Sequence, residues 1–145
     1  MQIKRCLYRS PNRKVMVREE MYHGQMARLL LVNEVAESAS FIDKEDRNTP
    51  PFYYLQEFGR ALTQRIVCND ILVLGGAAFS FPKFVLSHYP DITVDVVEID
   101  PLMVKLAKEY FYLDECLEEF GADRLNIIYA DANTYVKEME NKYDV

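Results

Sequence analysis

Ile71-Leu72-Val73-Leu74-Gly75-Gly76 and, about 20 residues on, Val96-Val97-Glu98-Ile99-Asp100 decide how this chain folds. The first run is short, apolar and closed by two glycines, as expected of a buried strand that turns sharply at its carboxyl end. The second is another strand, from Thr93 to Ile99, ending in an acid. Glycines let backbone approach a ligand closely, and a carboxylate at the tip of the next strand can accept hydrogen bonds from a ribose diol. Together they describe half of a nucleoside-binding crevice.

Outward from this pair the chain alternates strand and helix. Apolar spacing at Phe52, Leu55, Phe58, Ala61 and Leu62 predicts a helix before the first strand. A helix near Pro82–His88 follows it, with Pro82 in the first turn. Asp100-Pro101 is an N-cap acid with proline at the first helical position, so the second strand also feeds a helix. Further on come a helix over Asp114–Phe120 stopped by Gly121, a strand at Leu125–Tyr129 and a helix near Asn133–Glu140. Such alternation predicts an α/β fold, a Rossmann-like parallel sheet with helices on its faces. Upstream the pattern is β-like, in Val15-Met16-Val17, Ala27–Val32 and Val35–Phe41, with Asn33-Glu34 as a two-residue hairpin turn. Polar residues 43–49 and then Pro50-Pro51 form a linker. The expected division is a β-hairpin arm over 1–50 and a partial nucleoside-binding domain over 51–145.

Composition narrows the partners. A net charge of −6 over 145 residues argues against nucleic acid, which needs a basic face. The local run Arg5, Arg9, Arg13, Lys14, Arg18 reads as a solvated face of the arm before it reads as an anion site. The three cysteines are widely spaced without a CxxC, which predicts reduced thiols and a cytoplasmic protein. Two distant histidines predict no metal site. No apolar run approaches the ~20 residues of a membrane span. Met1–Arg5 leads into no long apolar core of the kind a signal peptide carries.

Three strand ends supply the candidate site: Gly75, Gly76 and Ala77; Glu98 and Ile99; Asp131 and Ala132. Glu98 suits ribose hydroxyls. Asp131 with the adjacent Ala132 N–H suits the amino group and ring nitrogen of adenine. Each acid is alternatively a turn residue or helix cap, and for Asp100 the cap is the favoured role. A dinucleotide ranks lower, because Ala77, Ala78, Phe79 and Ser80 stand where G-x-G-x-x-G would place its later glycine.

From Tyr53 to Val145 the chain resembles the spermidine synthase family of aminopropyltransferases, which share the S-adenosylmethionine-dependent methyltransferase fold. The residues that carry the likeness are Ile71–Gly76, Val97-Glu98-Ile99-Asp100, Ala107-Lys108-Glu109-Tyr110-Phe111, Asp123-Arg124, Asp131-Ala132 and Tyr143-Asp144-Val145. The resemblance implies S-adenosylmethionine, its decarboxylated form, or the product methylthioadenosine as ligand, with no metal, and Tyr53 as a substrate-side residue. It also implies aminopropyl or methyl transfer as the parent activity. The departures are specific. Ala78 replaces the acid of the family's GGGDG loop, and Tyr53-Tyr54-Leu55 keeps only the tyrosine of its Tyr-His-Glu motif. Asn33-Glu34 and Glu37 stand where the family has an Asp-Gly turn and a Gln.

In the family an Asp-rich strand follows Tyr-Asp-Val and deprotonates the attacking amine. Without it, a nucleoside half-site unable to make spermidine alone is expected, with Ile71–Leu74 bare along one edge. A bare apolar edge recruits partners, so a homodimer through that edge or the arm is expected. The competing reading is a non-catalytic relative that keeps the fold for assembly.

Overall fold

The computed structural model describes residues 4–64, 67–140 and 143–145. The leader reading, which includes residues 1–3, therefore lies partly outside them. Among the described residues the amino-terminal part is an antiparallel meander: β1 (Arg5–Arg9), β2 (Val15–Tyr22), β3 (Gln25–Val32) and β4 (Val35–Phe41), in spatial order β1-β2-β3-β4. The β3–β4 turn is the two-residue hairpin that Asn33-Glu34 suggested. Both residues adopt left-handed backbone, φ 51° and 68°, the geometry of a type I′ turn. Glu34 does so at a cost of about 1–2 kcal/mol that glycine would avoid.

Next come α1 (Tyr53–Thr63), β5 (Asp70–Leu74), α2 (Ser80–His88), β6 (Thr93–Val97), α3 (Pro101–Tyr110) and α4 (Leu113–Phe120). A single 3-10 turn (Ala122–Arg124), β7 (Leu125–Ile128) and α5 (Ala132–Glu138) complete the order. The strands β5, β6 and β7 form a parallel sheet in that order. This is the α/β fold expected, with boundaries shifted where side-chain chemistry overrides apolar spacing. Helix α2 starts at Ser80 rather than near Pro82. Strand β6 ends at Val97, because the Glu98 carboxylate turns back to the neighbouring loop. Asp100 caps α3 as expected, accepting from Leu102 N at 3.0 Å.

One face of the parallel sheet is packed by Phe79, Val85 and Leu86 against Ile71, Val94 and Val96. A second cluster joins the meander to the α/β part: Val15, Val17 and Leu30 pack on Ala78, Leu106 and Phe111. Burying each such side chain contributes roughly 1.5–3 kcal/mol, so the two sheets are held as one packed body. Polar ties cross the same junction. Arg28 Nη1 donates to the Tyr110 carbonyl at 2.9 Å, and Ser80 Oγ donates to the Ala39 carbonyl at 2.6 Å.

The edge of β5 is less bare than expected. Leu72 N donates to the Val145 carbonyl, and Asp144 N donates to the Asp70 carbonyl, both at 2.9 Å. The Asp144 carboxylate also accepts from Asn69 N and Asp70 N, at 2.8 and 3.1 Å. Residues 144 and 145 therefore extend the hydrogen bonding beyond β5, while Leu74 stays 52% exposed past the pairing.

Candidate functional site

The carboxyl ends of β5, β6 and β7 meet in register. Gly75 N donates to the Val97 carbonyl at 2.8 Å, and Glu98 N donates to the Ile128 carbonyl at 2.9 Å. All three predicted strand tips thus lie side by side, and Asp131 follows β7 at the head of α5.

The loop after β5 is strained in an ordered way. Gly75, Ala77 and Phe79 all have positive φ, at 84°, 47° and 59°. For the two non-glycine residues this costs about 1–2 kcal/mol each, a cost borne only where the surroundings dictate the conformation. Two contacts dictate it. Phe79 is fully buried, and a Cβ on Gly76 would lie 2.5 Å from its ring, so only glycine fits there. On the other side the loop N–H groups converge on Glu98, whose Oε2 accepts from Gly76 N at 2.9 Å and Ala77 N at 3.3 Å. Its Oε1 accepts from Asp100 N at 2.9 Å. Successive N–H groups in such a turn form an anion-binding nest, and here the anion is a side chain of the protein. A carboxylate has about four acceptor positions, so roughly one remains for a ligand hydroxyl.

The other acids divide their work. Asp131 Oδ1 caps α5, accepting from Thr134 N at 2.9 Å and Thr134 Oγ1 at 3.2 Å, on an exposed position. Ala132 is half-buried behind it, and Ile99 is 66% exposed at the end of the second tip. Asp100 is paired with Arg13 of the meander, 2.5 Å from Nη2 to Oδ2. The Arg13 hydrogen bond holds the Asp100 carboxyl below its ordinary value. Arg9, Arg13, Lys14 and Arg18 line a polar cleft on the meander, where Arg13 is matched by Asp100 and Arg18 by Glu20.

On the opposite flank of the glycine loop lies a cavity of about 440 Å³, between α1, α2 and β5. Gly75, Gly76 and Ala77 form part of its wall, with Tyr54, Phe58 and Phe81 contributing an aromatic side. Glu98 and Asp131 are outside this lining. Tyr53, the substrate-side residue expected from sequence, is outside it as well. It is 65% exposed with the Arg60 guanidinium 5.8 Å from its ring, while its neighbour Tyr54 faces the cavity. Helix period explains the difference, since consecutive residues point about 100° apart and only one can face β5. Ala78 is fully buried against the meander cluster, so its position offers no route for a loop acid into the cavity.

Sequence reasoning gave no role to two residues. Lys83 is fully buried on α2. Its Nζ donates to Ser40 Oγ at 2.6 Å, the Phe111 carbonyl at 2.6 Å and the Arg47 carbonyl at 3.0 Å. Burial lowers its pKa to about 7, with Arg47 adding to the effect and Cys116 and Glu115 opposing it. The signal was a lone cation within the apolar run Phe81-Pro82-Lys83-Phe84-Val85-Leu86. The second is Arg124, which donates through Nη1 and Nε to the carbonyls of Leu86 and Ile92 at 3.0 and 3.1 Å. It also reaches the Phe120 and Tyr89 carbonyls, tying the carboxyl ends of α2 and α4 to the sheet.

Residues 60–145 match the Spermine/spermidine synthase domain. The polyamine aminopropyltransferase of Methanocaldococcus jannaschii is 36% identical over 77 residues, covering 53% of this chain and 26% of that protein. That of Chromobacterium violaceum is 30% identical over 118 residues, covering 79% of this chain and 41% of that protein. The crystal structure of spermidine synthase from Thermotoga maritima superposes with a TM-score of 0.70 at 18% identity, over 97% of this chain and 45% of that one, a likeness of fold. The chain therefore spans less than half the length of these relatives.

Proposed function

Since the chain belongs to the spermine/spermidine synthase family through residues 60–145, we propose that it is the nucleoside-binding part of an aminopropyl- or methyl-transferring protein. Its ligand is S-adenosylmethionine, the decarboxylated form, or methylthioadenosine. The carrying observation is the junction of three strand tips around a strained glycine loop that Glu98 organises. The one acceptor position left on Glu98 is offered to a ribose hydroxyl. Asp131, exposed and anchored through Oδ1, is offered to adenine with the Ala132 N–H. Gly75, Gly76 and Ala77 admit the sulfur-bearing arm toward the cavity, whose size suits it. No group of three or more His, Cys, Asp and Glu residues suited to a metal occurs among the described residues, and the proposed chemistry calls for none.

Isothermal calorimetry with the three nucleosides tests this reading. Binding that weakens at least tenfold in Asp131→Ala, a loss of about 1.4 kcal/mol, is expected. Asp131 is the better probe because Glu98 also holds the loop. No heat with any of the three at millimolar ligand would overturn the reading in favour of an assembly role. The chain alone is expected to bind without forming spermidine from putrescine. Self-association through β5 beyond Leu72, or through the meander, belongs to the same proposal, and light scattering that shows a monomer at micromolar concentration removes it. A cytoplasmic location, proposed from the cysteine pattern, is checked by fractionation.

A further inference from the structure

The β3–β4 ladder contains a bulge whose position bears on ligand choice. Leu30 pairs with Ser38 and Leu31 with Ala36, so Glu37 is the extra residue on β4 with no partner across the strand. Bulges re-aim a side chain, and they concentrate beside functional sites. This one brings Glu37 into the lining of the 440 Å³ cavity, while Ser38 and Ser40, one and three residues further along β4, remain buried. Among the described lining residues Glu37 is the one with an ionisable carboxylate on its side chain.

The two serine hydroxyls of the lining and two N–H groups of the glycine loop are already engaged. Ser38 Oγ and Ser80 Oγ are bonded to each other at 2.9 Å, and Ser80 Oγ donates onward to Ala39. The N–H groups of Gly76 and Ala77, which would otherwise receive a ligand carboxylate, point to Glu98. The polar and aromatic side chains left to meet a ligand are those of Glu37, Tyr54, Phe58 and Phe81. The rings of Tyr54 and Phe58 lie 6.0 Å apart, and those of Phe58 and Phe81 lie 5.8 Å apart. Tyr54 senses the acid: its pKa is raised first by burial and then by the Glu37 charge. A carboxylate beside aromatic faces attracts cations and repels anions.

We propose that Glu37, lifted out of the β4 ladder by its bulge, is the specificity-determining carboxylate of this chain, anchoring the ammonium end of the ligand's arm in the cavity. It stands in for the acid that the loop lacks at Ala78, and it does so from the meander rather than from the nucleotide-binding loop. The consequence is a preference for an arm that ends in an ammonium alone over one that also carries a carboxylate. The inference rests on the nucleoside reading above and goes beyond it by naming the residue and the charge rule.

The test is calorimetry on the 145-residue chain and on Glu37→Gln, which keeps the shape and removes the charge. The ligands are methylthioadenosine, decarboxylated S-adenosylmethionine and S-adenosylmethionine. In the parent chain the decarboxylated ligand is expected to bind more tightly than S-adenosylmethionine. Glu37→Gln is expected to weaken the decarboxylated ligand about tenfold or more, leave uncharged methylthioadenosine within about twofold, and narrow the gap to S-adenosylmethionine. An unchanged ratio of decarboxylated ligand to methylthioadenosine in the variant overturns the role of Glu37 and leaves the nucleoside site standing. If no nucleoside binds the parent, putrescine supplies the ammonium without the purine. Binding lost in Glu37→Gln then supports Glu37 while the nucleoside reading falls, and no putrescine binding overturns both.

Discussion

Replacing Lys83 by methionine probes how α2 is held to β4, to the linker and to the end of α3. In the folded chain burial lowers the Lys83 pKa from 10.5 to about 7. The unfolded chain therefore binds a proton that the folded chain has released throughout the range between those values. Stability must then rise with pH across that window, because the form that binds more protons loses ground as protons become scarce. From these values the rise is about 1 kcal/mol from pH 7 to 8, and about 3 kcal/mol in total from pH 6 to 9. Cys116, whose thiol burial raises to about 11 from 9.0, flattens the upper end of the window, because its falling contribution as the unfolded thiol ionises above 9 offsets the rise from Lys83. Urea unfolding followed by circular dichroism at pH 6, 7, 8 and 9 measures the slope.

Lys83→Met should flatten it. At pH 9 the variant should also be less stable by a few kcal/mol, since the Arg47 and Phe111 carbonyls lose the two N–H donors of the neutral amine and the Ser40 hydroxyl loses its acceptor, at about 1–3 kcal/mol each, partly offset by methionine packing. A flat curve in the parent chain would refute the reasoning. It would mean that three short hydrogen bonds hold the ammonium charged against the cost of burial. The same slope in parent and variant would refute it equally.

Glu98→Ala should lower stability by about 2–4 kcal/mol in urea at neutral pH, because the N–H groups of Gly76, Ala77 and Asp100 lose their acceptor. An unchanged midpoint would show that solvent replaces the carboxylate. Gly76→Ala should cost about 1–3 kcal/mol through overlap with the buried Phe79 ring. Gly75→Ala, at φ 84° with open space around it, should cost only the left-handed backbone penalty of about 1–2 kcal/mol, and scanning calorimetry would rank the two. Arg13→Ala should lower the melting temperature at pH 7, where Asp100 is charged. The difference should vanish well below pH 3.8, because a carboxyl with a depressed pKa loses its contribution as pH falls through that pKa; persistence at low pH would assign the effect to packing.

Much of the fold was legible because its signals are local. Asp100-Pro101 announces the start of α3, Gly121 the end of α4, and the apolar run at 71–74 with the valines at 94, 96 and 97 announces buried strands. Where reading stopped short, the cause was contact between distant residues. Strand β6 was read two residues too long because nothing local shows that Glu98 is drawn to a loop 22 positions earlier. Tyr53 was preferred to Tyr54 because motif order says nothing about which helix face meets β5. The basic run of the meander, noted as a solvated face, turns out to be partly matched by Asp100 and Glu20.

The amino-acid sequence by itself determined the layered α/β plan, the glycine-to-acid spacing and the family to which the chain belongs. Periodicity, caps and turn residues act over a few neighbours, and a few neighbours suffice to specify them. Tertiary structure alone decided that Glu98 is largely consumed in holding its loop, that a bulge turns Glu37 into the cavity, and that Lys83 is sealed among β4, the linker and the end of α3. Those outcomes depend on which surfaces are excluded from water when remote segments pack, and desolvation is a property of the packed whole.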